Sequence, residues 1–175
     1  MTLSVWLAPK TVPAFRSMNQ PTDPSSPLDF QPATVADLQP LQRLIRKYYE
    51  FDGILYREQE VAAGLKVLLN NDTVGRAWLV RHRATAVGYA ILTFGFDLEF
   101  GGHQATMTDL YLEPEYRGKG AGRKLVGHVQ EFCRKAGVCA LELQAERHNS
   151  HAIAFYKSCG FELKDRVPMS KRIDA

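Results

Sequence analysis

Asp109-Leu110-Tyr111-Leu112-Glu113-Pro114-Glu115-Tyr116-Arg117-Gly118-Lys119-Gly120-Ala121-Gly122-Arg123 is the stretch on which the fold of this chain turns. Leu110-Tyr111-Leu112 is extended and apolar, and Pro114 ends it. Beyond the glycines the apolar spacing changes: Leu125, Val126, Val129, Phe132, Cys133 and Ala136 recur at helical intervals. A strand therefore ends, the chain turns through Gly118, Gly120 and Gly122, and a helix begins. Glycine allows φ > 0 and lets a ligand approach the backbone. The new helix starts with N–H groups that lack intrahelical partners, at the positive end of its dipole. Such a turn suits an anion, most often a phosphate.

Two phosphate motifs are excluded. A Walker loop needs glycine five places after Gly118, and a dinucleotide fingerprint needs it three places after Gly120; both positions are Arg123. The residues match Arg/Gln-x-x-Gly-x-Gly/Ala, and a second block comes later, Asn149-Ser150-His151-Ala152-Ile153-Ala154-Phe155-Tyr156, closing with Gly160-Phe161. With these two blocks the chain resembles the GNAT superfamily of acyl-CoA-dependent N-acyltransferases. The resemblance covers residues 109–161 and extends more weakly back to Phe30.

The chain has 175 residues, enough for one domain with a real core. Its net charge of +3 gives no global field for nucleic acid. Basic residues cluster only beside the glycine turn, at Arg117, Lys119, Arg123 and Lys124, as a solvated helix face or a collar for phosphates. Cys133, Cys139 and Cys159 form no C-x-x-C pair and are odd in number, which predicts reduced thiols in the cytoplasm and no structural zinc. No apolar run reaches membrane-spanning length.

Residues 1–29 hold Pro9, Pro13, Pro21, Pro24 and Pro27 and are expected to form a loosely attached tail, with Met18 as an alternative start. The domain is expected over 30–175, as α/β with a mixed, mostly antiparallel sheet and helices on both faces. A short strand stands at Phe30, followed by a helix capped by Thr34 with Leu38, Leu41, Leu44, Ile45 and Tyr48 on one face. A second helix runs from Glu58 to Leu69. Strands Ala77–Val80 and Val87–Phe94 form a hairpin near Arg83-Ala84-Thr85. Gly95 to His103 is read as a long connection into the strand ending at Leu112. After the central helix come a strand from Cys139 to Ala145, a helix from Ser150, and a last strand pair beyond Phe161.

The resemblance implies a chemistry for particular residues. The strand before the glycine turn splays from its neighbour, and the pantetheine arm of acetyl-CoA pairs there with main-chain groups of Leu110, Tyr111 and Leu112. An amide-bearing arm suits unpaired strand groups. The pyrophosphate lies on Arg117, Gly118, Lys119, Gly120, Ala121, Gly122 and Arg123. Tyr156 is the general acid for the departing thiolate, and Asn149 reaches the pantetheine arm or caps the helix at Ser150. Asp109 is the first candidate for general base, ahead of Glu142, Glu146 or a water chain, although the polyamine-acetylating branch carries its proposed glutamate one place earlier, where this chain has Thr108. Strand alternation separates those two positions unless a bulge intervenes. His148 and His151 lack an evident third ligand, so no metal is expected.

On the substrate side, Tyr49, Asp52, Asp97 and Glu99 mix acids with aromatic faces, as a cationic amine would require. The expected function is acetyl transfer from acetyl-CoA to a primary amine of a small cationic substrate, with the polyamine and thialysine branch nearest. The alternatives are a protein lysine or N-terminal acetyltransferase and a non-catalytic acyl-CoA-binding module. No nucleic-acid or membrane partner is expected, and a homodimer is compatible with the resemblance.

Overall fold

The computed structural model describes residues 28–173. The expected tail and the Met18 start lie outside the described residues, apart from the last two tail positions.

The portion up to Leu143 contains a five-stranded sheet. Its strands are β1 (Asp29–Pro32), β2 (Gly75–His82), β3 (Thr85–Asp97), β4 (Gly102–Leu112) and β5 (Ala140–Leu143), in sequential order. Three pairings are antiparallel; β4 and β5 are parallel. That parallel step requires a crossover, which α3 (Ala121–Lys135) supplies.

Helices cover both faces. α1 (Leu38–Asp52) and α2 (Glu58–Asn70) bury Leu41, Leu44, Ile45, Leu65 and Leu68 against Ala77, Leu79, Tyr89, Ile91 and Tyr111. On the opposite face α3 brings His128 and Phe132 onto Trp78, with ring centroids 5.9 and 4.9 Å apart. Trp78 and Leu79 are neighbours in β2 that point to opposite sides, as strand alternation demands. The expected helical stripes are those that pack, because each presents apolar residues at three- and four-residue spacing. The start of α1 differs in detail. A short 3₁₀ turn, Val35–Asp37, precedes it, and the Asp37 carboxylate accepts from the Thr34 N–H (2.9 Å) and hydroxyl (3.0 Å). Gly53, at φ 68°, closes α1 in the left-handed region that glycine adopts freely.

Two expectations are corrected. Gly95 to His103 is not a long connection: β3 and β4 continue pairing to Asp97↔Gly102, which leaves only a tight turn. A glycine inside a strand has the same local signature as punctuation, which is why these glycines suggest a loop. Beyond Phe161 the described residues carry no strand, so the expected final strand pair is absent from them.

The portion from Gln144 onward is built around α4 (Ser150–Ser158). The Asn149 side chain caps it, accepting from the Ala152 N–H at 3.0 Å. Phe161 folds back so that its ring lies 5.7 Å from Tyr156.

Gly88 faces Leu112 across β3 and β4, and a Cβ there would stand 2.5 Å from the Tyr111 oxygen and 2.6 Å from Leu112 Cδ2. Gly88→Ala is therefore expected to cost about 1–3 kcal/mol, read by chemical denaturation, because backbone as well as side chain must move.

Candidate active site

β4 has two neighbours for only part of its length. Gln104–Met107 pair with Ala140–Leu143, and there β5 ends. From Thr108 to Leu112 only β3 remains as a ladder partner. The Glu113 N–H donates to the Val87 oxygen at 2.8 Å, which sets the phase of the antiparallel ladder. Glu113, Tyr111 and Asp109 then direct their main-chain groups to β3, and Leu110 and Leu112 direct theirs to the opened edge. This is the splay anticipated for Leu110–Leu112.

The glycine turn comes directly after the strand. Gly118 and Gly120 take φ values of 72° and 81°, and Gly120 is the N-terminal cap of α3. A Cβ on either would meet no heavy atom within 4 Å, so the space over both is open to a ligand. Lys124 N–H makes an early α-helical bond, to the Gly120 oxygen (3.1 Å), so the amides of Ala121, Gly122 and Arg123 form the helix end. Lys119 Nζ donates to the Glu115 oxygen (3.0 Å) and ties the turn to itself.

Arg117 is used differently from its neighbours in the basic cluster. Its Nε donates to the Leu112 oxygen (2.7 Å), and its guanidinium lies 4.7 Å from the Phe51 ring centroid and 5.2 Å from that of Tyr111. It joins the end of β4 to the end of α1, a contact invisible in the sequence because the two lie 66 positions apart (117 − 51).

Asp109 owes its position to a bulge. Leu92 pairs with Met107 and Ile91 with Asp109, so Thr108 is the extra residue. Ile91 belongs to the face under α1 and α2; Leu92, and with it Met107, faces the other way. Counted by simple alternation, Asp109 would follow Met107 to the α3 face. The inserted residue turns it instead toward α1, α2 and Tyr111. There the Tyr89 hydroxyl donates to Oδ1 (3.3 Å) and the Thr108 hydroxyl to Oδ2 (3.0 Å). Burial holds the Asp109 carboxyl above the usual carboxylate range, and the two hydroxyls only partly oppose that. Its charge in turn adds to burial in pushing the Tyr49 phenol upward.

Of the four expected substrate residues, Tyr49 therefore sits with Asp109. Asp52 is exposed at the end of α1 and accepts from the Tyr48 hydroxyl at 3.3 Å. Asp97 and Glu99 lie at the tip of the β3–β4 hairpin, where Asp97 Oδ1 accepts from the Glu99 N–H (2.8 Å). Asp97 is six residues from Ile91, the partner of Asp109, or ~20 Å along the sheet. The structure does not bring these two acids to Asp109. Tyr89 and Tyr56, whose buried hydroxyl has no hydrogen-bond partner, were missed in the sequence, and Thr108 was read there only as the place of the branch's glutamate. Only the aromatic richness of the Tyr48–Tyr56 segment signalled any of them.

Within the portion from Gln144, Tyr156 lies one turn before Cys159, and its ring packs on Phe155 and Phe161. Burial pushes its phenol up to about 12, with a smaller contribution from Cys159. Among the described residues no three His, Cys, Asp or Glu side chains cluster as a metal site.

The raised Asp109 carboxyl has a consequence for stability. A folded-state value above the unfolded one means that the ionised form costs native stability at neutral pH, and that the cost fades as pH falls into the ordinary carboxylate range. Asp109→Asn is expected to unfold at higher denaturant concentration than the parent at pH 7–8. The gain should shrink as the medium is acidified toward the ordinary aspartate range, measured by urea titrations across pH.

Comparison with known proteins agrees with this geometry. The family description "Acetyltransferase (GNAT) family" matches residues 38–161. An uncharacterised N-acetyltransferase of Methanocaldococcus jannaschii is 28% identical over 139 residues, covering 76% of this chain and 61% of its own length. A thialysine N-epsilon-acetyltransferase of Bos taurus is 34% identical over 74 residues, 42% of this chain and 43% of its own. The chain thus spans less than two thirds of either relative. The crystal structure of an integron cassette protein from the mobile metagenome of the Cole Harbour salt marsh superposes with a TM-score of 0.74 at 29% identity, covering 83% of this chain and 91% of that one. With a family match over 38–161 and a β4 edge opened beside a glycine-capped helix, the chain belongs to the GNAT acetyltransferase family.

Proposed function

We propose that the protein transfers an acetyl group from acetyl-CoA directly to a primary amine of a small cationic substrate. The observation that carries this reading is the opened edge of β4, because it puts the Leu110 and Leu112 main chain, the glycine turn and Asp109 in one continuous stretch. The residues suit the acyl carrier: strand groups without a β5 partner match an amide-bearing arm, and the amides of Gly118–Arg123 match a pyrophosphate. Acetyl-CoA supplies the activated acyl group as a thioester.

The protein's own groups handle the protons. An ammonium does not attack a thioester, so the incoming amine must lose a proton first, and Asp109 accepts it. The raised carboxyl supports this, since a stronger base takes the proton more readily. The Leu112 N–H, directed at the opened edge, serves the developing oxyanion. Tyr156 delivers a proton to the leaving sulfur; its phenol, pushed up to about 12, keeps that proton through the neutral range. Asn149 is already engaged as the α4 cap, and reaching the pantetheine arm is a second role for it. The tyrosines beside Asp109 favour a cation by their ring faces, and the thialysine relative makes an amino-acid side-chain amine the leading substrate. The three cysteines are free thiols, which supports a cytoplasmic setting. A homodimer belongs to the same reading through the resemblance alone.

Titration calorimetry with coenzyme A is expected to show binding near micromolar, about −8 kcal/mol. Gly120→Val should abolish it, since φ 81° and the ligand's approach both exclude a branched Cβ. No uptake by the parent protein would overturn the proposal. With a panel of thialysine, lysine, diamines, aminoglycosides and peptides, thiol release should track the small amines; a preference for peptides would make this a protein acetyltransferase. Tyr156→Phe should lower kcat by about 10²–10⁴-fold with coenzyme A affinity unchanged.

A further inference from the structure

We infer that Tyr89 and Thr108 are the positioning residues of Asp109: two uncharged hydroxyl donors, one from β3 and one from the bulge, that aim its carboxylate and leave it without a counter-ion. The inference rests on Asp109 being the base of the proposed reaction.

The contrast with two acids that fasten α1 and its flanks beside the same sheet carries it. Glu113 accepts from Arg43 at 2.9 Å and Lys47 at 2.6 Å, and Asp37 accepts from Arg81 at 2.6 Å. Those acids hold helices and loops in place, and cations hold them. Asp109 is held only by the phenol of Tyr89 and the hydroxyl of Thr108. The titratable groups that face it are Tyr89 from β3 and Tyr49 from α1, and no lysine, arginine or histidine among the described residues acts on it. A cation would have made the carboxylate a poor base, and an incoming ammonium would have had to displace it. Hydroxyls orient without neutralising. Each carboxylate oxygen has two lone pairs, so each keeps one for the amine after its hydroxyl is bound. Tyr89 is fully buried beneath Tyr111 with ring centroids 6.2 Å apart, so its hydroxyl is held in direction by packing. The bulge does two things at once: it turns Asp109 to the α1 face, and it brings the adjacent hydroxyl of Thr108 onto Oδ2.

The test is kcat against pH, with one amine accepted by the parent, for Tyr89→Phe, Thr108→Val and Thr108→Ser. Removing a donor destabilises the ionised carboxylate, so the acidic limb should move to higher pH in Tyr89→Phe and in Thr108→Val. At a pH below the limb kcat should fall about tenfold, and it should return to the parent value on the alkaline plateau. KM for acetyl-CoA should not change, and Thr108→Ser should behave as the parent. A fall of equal size at every pH would mean a packing role only and overturn the inference, as would an unmoved limb. Should Tyr89→Phe not fold, Thr108→Val decides, because Thr108 is exposed. Asp109→Asn separates the two levels. Parent-like kcat in that variant removes the base reading itself, whereas loss of kcat with an unmoved limb in the hydroxyl variants removes only the inference.

Discussion

A strand in the middle of a sheet has main-chain groups on both edges, and every one of them needs a partner. β4 meets that requirement with β5 only as far as Met107. The residues from Thr108 to Arg117 answer the shortfall in three ways. Arg117 reaches back to the Leu112 oxygen, the bulge at Thr108 shifts the strand's phase, and the main-chain groups of Leu110 and the N–H of Leu112 are left directed at the opened edge. The parallel step from β4 to β5 makes this arrangement available. It needs a crossover, and the crossover helix begins just where the strand has opened. The opened edge and the glycine-capped helix end are thus consequences of one topology.

The electrostatics divide along the same line. Acids that fasten α1 and its flanks are matched by arginine or lysine and partly exposed to water, where such pairs contribute modestly. Asp109 is the exception. It is half-buried beside tyrosines and holds hydroxyls in place of cations, and burial raises its carboxyl. A carboxylate shielded from water without a counter-ion costs stability. Arg117 adds to this region by stacking on Phe51 and Tyr111, which couples the end of α1 to the strand that holds Asp109. Movement of α1 would therefore be felt at the opened edge.

Much of the architecture was legible because its signals are local. Leu41, Leu44 and Ile45 announce a helix face, Arg83-Ala84-Thr85 announces a hairpin, and Gly118 and Gly120 announce a turn with positive φ. Errors arose where the same local signal has two meanings. Gly95, Gly101 and Gly102 read as a loop, yet Gly95 and Gly102 lie within paired strands and only Gly101 takes positive φ. Asp97 and Glu99 were read as substrate ligands from acids mixed with aromatic faces, a pattern that does not record how far the hairpin carries them from Asp109.

The sequence by itself determined the succession of elements as far as α4, the glycine-capped helix and the family, since each depends on residues within a few positions of one another. Only the tertiary structure decided which face Asp109 occupies and what holds it. A bulge is a mismatch between two strands, and Thr108 becomes the extra residue only when Leu92 and Ile91 have chosen their partners. The tyrosine that donates to Asp109 comes from β3, twenty positions before it (109 − 89). Residues so far apart meet through the pairing of whole strands, and no spacing in a single segment records that.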